Sequence, residues 1–480
     1  MKNEEIKLSL GDTGLPGVPA QPQENIHCIR HIDPPEGKFP KAEQAAWLRR
    51  LPRPLLSWYD KVKRDLPWRE NTDPYRVWVS EIMLQQTRVE AVKDGYVRFL
   101  SALPDLKSLA EVPEELLMKL WEGMGYYSRA RNLQKAARMA LSSWGGLPAS
   151  VEKLRSLPGI GDYTAGAVAS IAFGIPAPAV DGNVLRVLAR LTDSSRDVLE
   201  PAAKKEAEAL LRPIIPADRA GDFTQSLMEL GALVCIPGVP KCESCPVSGL
   251  CLGFREGTAA QLPVKRTKKA RRVEERTVFL LIGPDGRAAL EKRPPKGLLA
   301  GMWQLPNEEG RFTPEQGRRL WEKRGFSVER AHGLPEAVHV FSHIEWHMTG
   351  IALFLRELSV PLEPPVPPVL PVPPVAEPSG RLDLSELPQR QEKPKEKNGL
   401  YALDGMNDPE FSSGGRREEA PALVWASLEE IRREKALPAA FRAYRKAFER
   451  IAENAENGEN EENEENGSGE DSPEQLMFPV

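Results

Sequence analysis

Long apolar runs are missing from this 480-residue chain. None reaches the roughly 20 residues that span a bilayer, so no membrane-spanning helix and no membrane partner are expected. The opening residues, MKNEEIKLSL, lack the basic-then-apolar pattern of a secretion signal, which points to an intracellular protein. Cysteine is scarce: there are five, and four of them crowd between 235 and 251, a distribution unsuited to a secreted disulfide framework. A net positive charge is also lacking, since the chain sums to −4. That sum is uneven, because the last 28 residues carry ten acids and no Lys or Arg, leaving +6 on the remainder. A mildly basic body permits a polyanionic partner without requiring one.

Residues 1–42 are rich in Gly, Pro and Gln with no apolar period and read as a disordered extension. From 43 to 256, amphipathic segments alternate with Pro and Gly breaks, as in LPDLKSLAEVPEELLMKLWEGMGYYSRARNL, so this domain is expected to be mainly α. The run VKRTKKARR, with six basic residues, lies in a linker placed at 257–275; its charge suits solvent or nucleic acid equally. RTVFLLIGPDGRAALEKR has the pattern of a hairpin around Pro-Asp-Gly, and HVFSHIEWHMTGIALFLREL that of a second strand pair. With helix EQGRRLWEKRGF between them, 276–357 and 418–452 form an α+β domain. VPLEPPVPPVLPVPPVAEP cannot enter a sheet interior, so 358–417 is an insertion, and 453–480 is an acidic disordered tail.

Chemistry is carried first by RVWVSEIMLQQT. Apolar residues wrap most of a helix around Glu81, and a buried, unpaired carboxylate raises its pKa until it can donate a proton near neutrality. The alternative is a solvated acid in a helix capped by Ser80. LPGIGDYTAG sets Gly159 and Gly161 in a tight turn between helices, either a backbone clamp for phosphate or an ordinary helical corner. In VDGNV, Asp181 precedes a helix whose dipole would hold it ionised, and an N-cap is its plain role. An acid favouring its proton beside one favouring its charge is the unequal pair that glycoside hydrolysis uses. Cys235, Cys242, Cys245 and Cys251 form a C-x6-C-x2-C-x5-C array suited to zinc or an iron–sulfur cluster, and spacing alone does not choose between them. Cys28 stands apart as a free thiol.

LPWRENTDPYRVWVSEIMLQQT, WEGMGYYSRARNL, LPGIGDYTAG, VDGNV and the cysteine quartet, in that order, resemble the helix-hairpin-helix DNA glycosylase superfamily and within it the MutY family of adenine glycosylases. The resemblance covers 43–255 densely and the second domain more loosely. It implies two helical subdomains with a 4Fe-4S cluster loop, followed by a Nudix-like recognition domain. The implied activity is removal of adenine paired with 8-oxoguanine or guanine in double-stranded DNA, by a monomer working in base-excision repair, with further repair proteins as unspecified partners. Carried over by position, Glu81 matches the acid that protonates adenine N7, Asp181 the carboxylate beside the cationic sugar, and Asn183 and Tyr163 their polar partners. Gln86 and Tyr126 match wedge residues in the base stack, with Met124 nearby, while Arg69 and Gln225 match contacts around the extruded base. The endonuclease III relatives carry a Schiff-base lysine where this chain reads GDYTAG, and a phenol forms no imine, so base removal without strand cleavage is expected.

In the second domain, Phe341, Ser342 and His343 match the loop that recognises 8-oxoguanine; the plain alternative is a hairpin turn. His339, His343 and His347 lie too far apart on one strand, at roughly 13 Å for each four residues, to share a metal unless the chain turns. RLWEKRG lacks the paired acids of a Nudix magnesium cage, which suggests recognition without hydrolysis. Three competing readings remain: a bifunctional glycosylase/lyase of the endonuclease III type, a non-catalytic iron–sulfur DNA-binding protein, and a nucleotide hydrolase.

Overall fold

The computed structural model describes residues 46–266, 270–358 and 422–457. The proline-rich insertion after residue 358, the extension before residue 46 with Cys28, and residues 458–480 lie outside the described residues. The chain divides into two compact units between Ala270 and Arg271.

The first unit is helical among its described residues. Helix Pro52–Val62 returns to pack on Ala220–Leu233, and with Gly182–Leu191 they bury Leu55, Val184, Val187, Leu188, Phe223, Leu227 and Leu230 in one core. The helices between Pro74 and Trp144 build the other half around Trp78, Phe99, Trp121 and Leu133, all at most 1% exposed. Helix Asp162–Phe173 joins the halves, packing on Pro74–Leu84 and on Ala220–Leu233. Its small residues Ala165, Ala167 and Ala169 are buried and allow both neighbours close. That junction is where the chemistry of the first unit gathers.

Among its described residues the second unit holds a mixed sheet of seven strands in the path β3-β2-β1-β6-β5, with β4 on β1 and β7 on β2. The long strands are β1 (Arg272–Ile282), β5 (Val328–Val340) and β6 (Ile344–Leu355); β2 is Ala288–Lys292, β3 Trp303–Gln304, β4 Asn307–Glu309 and β7 Leu423–Ala426. β1 and β6 run parallel, and β1–β2 and β5–β6 are antiparallel. VFLLI is apolar without interruption because both of its faces are covered. Val278, Leu280 and Ile282 face a core closed by Phe441, Tyr444 and Phe448, while Phe279 and Leu281 face Trp321 on helix Pro314–Lys323.

Three expected boundaries shift. Residues 257–266 belong to the first unit: Leu262 is buried with its carbonyl accepting from Arg190 Nε, and the Val264 carbonyl accepts from the Val198 N–H. Residues 272–275 already form strand β1, in register with Ile344–His347. Helix Arg442–Asn457 carries regular structure into the stretch expected to be tail.

Candidate active site

Glu81 lies in the last third of helix Pro74–Leu84, which is capped by Asp73 and not by Ser80. Its neighbours Val77, Trp78, Ile82 and Met83 are buried, and Glu81 itself is 6% exposed. Burial pushes its carboxyl up from the ordinary 4.5 to about 7; a hydrogen bond from Tyr163 and the charge of Arg69 oppose the rise, and Asp181 adds to it. The Tyr163 hydroxyl donates to Glu81 Oε2 at 2.6 Å and lies 4.0 Å from Met228 Sδ. Burial and both carboxylates push that phenol well above its usual range, so it stays a donor.

Asp181 caps helix Gly182–Leu191, Oδ1 accepting from the Val184 N–H at 2.7 Å and Oδ2 from Asn183 Nδ2 at 2.9 Å. A helix start by itself would lower the pKa of Asp181. Burial outweighs these hydrogen bonds and raises its carboxyl above the ordinary 3.8. Asn183 is in turn held by Arg186, whose Nη2 reaches Asn183 Oδ1 and the Gly231 carbonyl, each at 2.8 Å, while Nε reaches the Cys235 carbonyl. A Cβ on Gly231 would stand 2.6 Å from Asn183 Cβ, so only glycine lets these helices approach there.

Arg69 and Gln225, far apart in sequence, meet at 3.1 Å. Arg69 is fixed from behind by Glu229, at 2.8 Å, which also takes two bonds from the Arg64 side chain. Burial alone would raise the Glu229 carboxyl, but these charged hydrogen bonds override it and hold it at about 2. Gln86 and Tyr126 are both exposed and both adopt positive φ, 55° and 44°. Met124 departs from expectation. Its side chain is 4% exposed, with its methyl where a Cβ on Gly95 would fall, so it is packing and not a contact surface.

The hairpin joins Val151–Arg155 to Asp162–Phe173. Gly159 is exposed at φ +76 and Gly161 is an exposed, extended N-cap, so the backbone at this corner faces outward. Asp162 at the helix start is paired with Arg155 at 2.7 Å, which offsets its charge.

Cys242, Cys245 and Cys251 lie on two short 3-10 turns and their flanks, and Cys235 follows the end of helix Ala220–Leu233. Burial and the neighbouring thiols push Cys245 and Cys251 up to about 12, and Cys242 in the same direction. Arg190 Nη1 lies 3.3 Å from Cys235 Sγ. Among the described residues no three Cys, His, Asp or Glu side chains close into a metal-ready arrangement. The donor set nonetheless fits a thiolate-bound metal group, because only a cationic centre lets four mutually repelling, half-buried thiols ionise together.

In the second unit, β5 and β6 turn at 341–343, with the Phe341 N–H donating to the Ile344 carbonyl. The Phe341 ring is wedged between His339 and Trp346, at 4.5 and 4.9 Å, leaving Ser342 and His343 exposed at the tip. The structure shows the hairpin turn of the plain reading, with an anchored root and a polar end. On helix Pro314–Lys323, Glu315 and Glu322 are each paired with an arginine on their own helix, Arg319 and Arg318.

A raised carboxyl and a second acid within electrostatic reach of one another, on a helical frame that also carries a glycine corner, suit a glycosidase of the helix-hairpin-helix class. The comparisons agree. The family model described as the HhH-GPD superfamily base excision DNA repair protein matches residues 79–216, and a NUDIX domain model matches 277–380. The adenine DNA glycosylase of Mus musculus is 36% identical over 369 residues, spanning 65% of this chain and 72% of the relative. That of Buchnera aphidicola subsp. Baizongia pistaciae is 31% identical over 309 residues, 64% of this chain and 86% of the relative. Among solved structures, a thermostable thymine-DNA glycosylase is 30% identical with a TM-score of 0.40, covering 45% of this chain and 98% of its own. The chain belongs to the adenine DNA glycosylase family, and its activity is removal of adenine from DNA in base-excision repair.

Sequence reasoning missed Glu229, Arg129 and Gln85. Gln85 Nε2 donates to the buried Thr164 hydroxyl at 3.1 Å and ties the helix of Glu81 to that of Tyr163. For Glu229 a signal existed: SLMELGALV is a lone acid in an apolar run, the same pattern that singled out Glu81.

Proposed function

We propose that the chain removes adenine paired with 8-oxoguanine or guanine in duplex DNA by hydrolysis alone, without cutting the strand. The observation that carries this reading is the buried Tyr163–Glu81 pair at 2.6 Å. The phenol occupies Oε2 and leaves Oε1 to carry the proton. A phenol also stands at the hairpin position where a lyase needs an amine.

In this reading Glu81, protonated near neutrality, donates to adenine N7 as the N9–C1′ bond breaks and its electron pair leaves with the base. Positive charge then develops on the sugar beside Asp181, which Asn183 orients. Water adds at C1′ and its proton returns to Glu81. Arg69 and Gln225 contact the extruded adenine, Gln86 and Tyr126 fill the opened stack, and the backbone at Gly159 and Gly161 meets phosphate. Extrusion costs a few kcal/mol, which these contacts offset. In the second unit Phe341, Ser342 and His343 meet the opposing 8-oxoguanine, with Phe341 as the fixed root. Cys235, Cys242, Cys245 and Cys251 would hold a 4Fe-4S cluster, which would tie the cysteine-bearing segments together through its thiolate ligands. We place the enzyme inside the cell as a monomer.

The test is single-turnover release of adenine from duplexes with adenine opposite 8-oxoguanine, guanine or thymine, scoring strand breaks before and after alkali. Release favoured opposite 8-oxoguanine and guanine, with breaks only after alkali, is the expected result. Breaks without alkali would mean a lyase nucleophile, and equal release opposite thymine would remove the mispair from the proposal. Iron and acid-labile sulfide, quantified on the purified chain, test the cluster.

A further inference from the structure

We infer that Arg129 is a positioning residue that locks the two strained loops bearing Gln86 and Tyr126 onto the end of the helix bearing Glu81, so that the side chains that open the stack are held in register with that helix by one buried guanidinium. The inference rests on the reading of Gln86 and Tyr126 as the side chains that enter the base stack.

Non-glycine residues adopt positive φ only where surrounding structure over-determines them, and Gln86 and Tyr126 both do so, one on each loop. What they share is Arg129. Its Nη1 donates to the carbonyls of Ile82, Met83 and Gln85, the last at 2.7 Å, which lie at the end of the helix of Glu81 or just beyond it. Its Nη2 donates to the Met124 carbonyl at 2.7 Å, the Gly125 carbonyl at 3.3 Å and the Thr87 hydroxyl at 3.2 Å. The guanidinium also lies 5.5 Å from the Trp121 ring and 5.6 Å from that of Tyr126.

No carboxylate pairs with Arg129 among the described residues, and burial lowers its pKa to about 10. Its charge is therefore balanced by carbonyl dipoles, three of them from a helix C-terminal region that favours a cation. Thr87 Oγ1 stitches the same loops from outside, within 3.2 Å of the Gln85 carbonyl and 3.3 Å of that of Met124. A lysine keeps the charge but has no planar fork with which to span both loops, so Arg129→Lys separates charge from geometry.

The experiment uses the full chain and a duplex with 2-aminopurine next to the target adenine, whose fluorescence rises when the stack opens, alongside single-turnover adenine release. Arg129→Lys is expected to lose most of the fluorescence rise and to slow release roughly 10- to 100-fold. The pH of half-maximal rate on the high-pH limb should stay in place, because the surroundings of Glu81 are kept. Rate and fluorescence within about twofold of wild type would overturn the inference. If Arg129→Lys does not fold, Thr87→Val carries the test: a several-fold loss of the fluorescence rise supports the lock, and an unchanged rise overturns it. Gln86→Ala and Tyr126→Ala separate the two levels. If both open the stack normally, the wedge reading fails and the lock with it; if both fail while Arg129→Lys opens it normally, only the lock fails.

Discussion

Glu81→Gln should abolish base release and make the protein more stable at alkaline pH. A carboxyl raised in the fold holds more protons folded than unfolded between its two pKa values. Its contribution is therefore complete below about 4.5 and is lost as pH climbs through about 7. A rise of about 2.5 units corresponds to about 3 kcal/mol at pH 8, of which about 2 kcal/mol appears above pH 5.5. Glutamine carries no charge to desolvate and its amide oxygen still accepts from Tyr163, so the variant escapes this loss. For a unit of this size, 1 kcal/mol moves the melting midpoint by roughly 2–4 °C. The difference in midpoint between Glu81→Gln and wild type should then widen by roughly 4–8 °C from about pH 5.5 to about pH 8, read by calorimetry on the full chain. Parallel curves for the two proteins would refute a raised Glu81 and remove the ground for assigning it the proton.

Glu229→Gln should cost about 3 kcal/mol, read as a lower urea midpoint with unchanged slope, since it leaves Arg64 and Arg69 without their buried partner. The same pair predicts acid sensitivity of the opposite sign to Glu81: a carboxyl held at about 2 contributes fully above 4.5 and is lost as pH falls toward 2. Tyr163→Phe removes the donor that stabilises the Glu81 carboxylate, so the high-pH limb of the single-turnover rate should move to higher pH; a downward move would contradict the geometry. Ser342→Ala should slow release opposite 8-oxoguanine by up to roughly tenfold, the worth of a hydrogen bond, and leave release opposite guanine unchanged. Equal loss on both duplexes would make the hairpin tip a general contact.

Much of the fold was legible because its signals are local. VFLLI announced a strand, and Pro-Asp-Gly announced the turn into β2. The end of the first unit was not legible, since 257–266 is held there by backbone carbonyls of Leu262 and Val264, which no side-chain pattern reports. The start of β1 was obscured by RRVEER, which looks like linker. Its charges are absorbed along the strand, where Glu274 accepts from Trp346 Nε1 at 2.9 Å and pairs with Arg276. Met124 was misplaced because nearness in sequence to Tyr126 says nothing about which way a loop side chain turns.

The candidate site shows where sequence reading stops. SEIML and SLMEL pose the same problem, a carboxylate that burial makes expensive, and the structure gives them opposite answers. Glu229 meets two guanidinium groups and is held at about 2; at Glu81 burial and a second carboxylate outweigh the phenol's hydrogen bond and raise the carboxyl to about 7. The apolar run fixes the cost of desolvation, which one phenol hydrogen bond does not overcome at Glu81 and which two guanidinium groups, arriving from 160 or more residues away, do overcome at Glu229. Arg69 belongs to both environments, paired with Glu229 and lowering the pKa of Glu81 from a distance. Removing Glu229 would therefore change the proton affinity of Glu81 as well as stability, and Glu229→Gln should shift the high-pH limb of the rate even where the protein is fully folded.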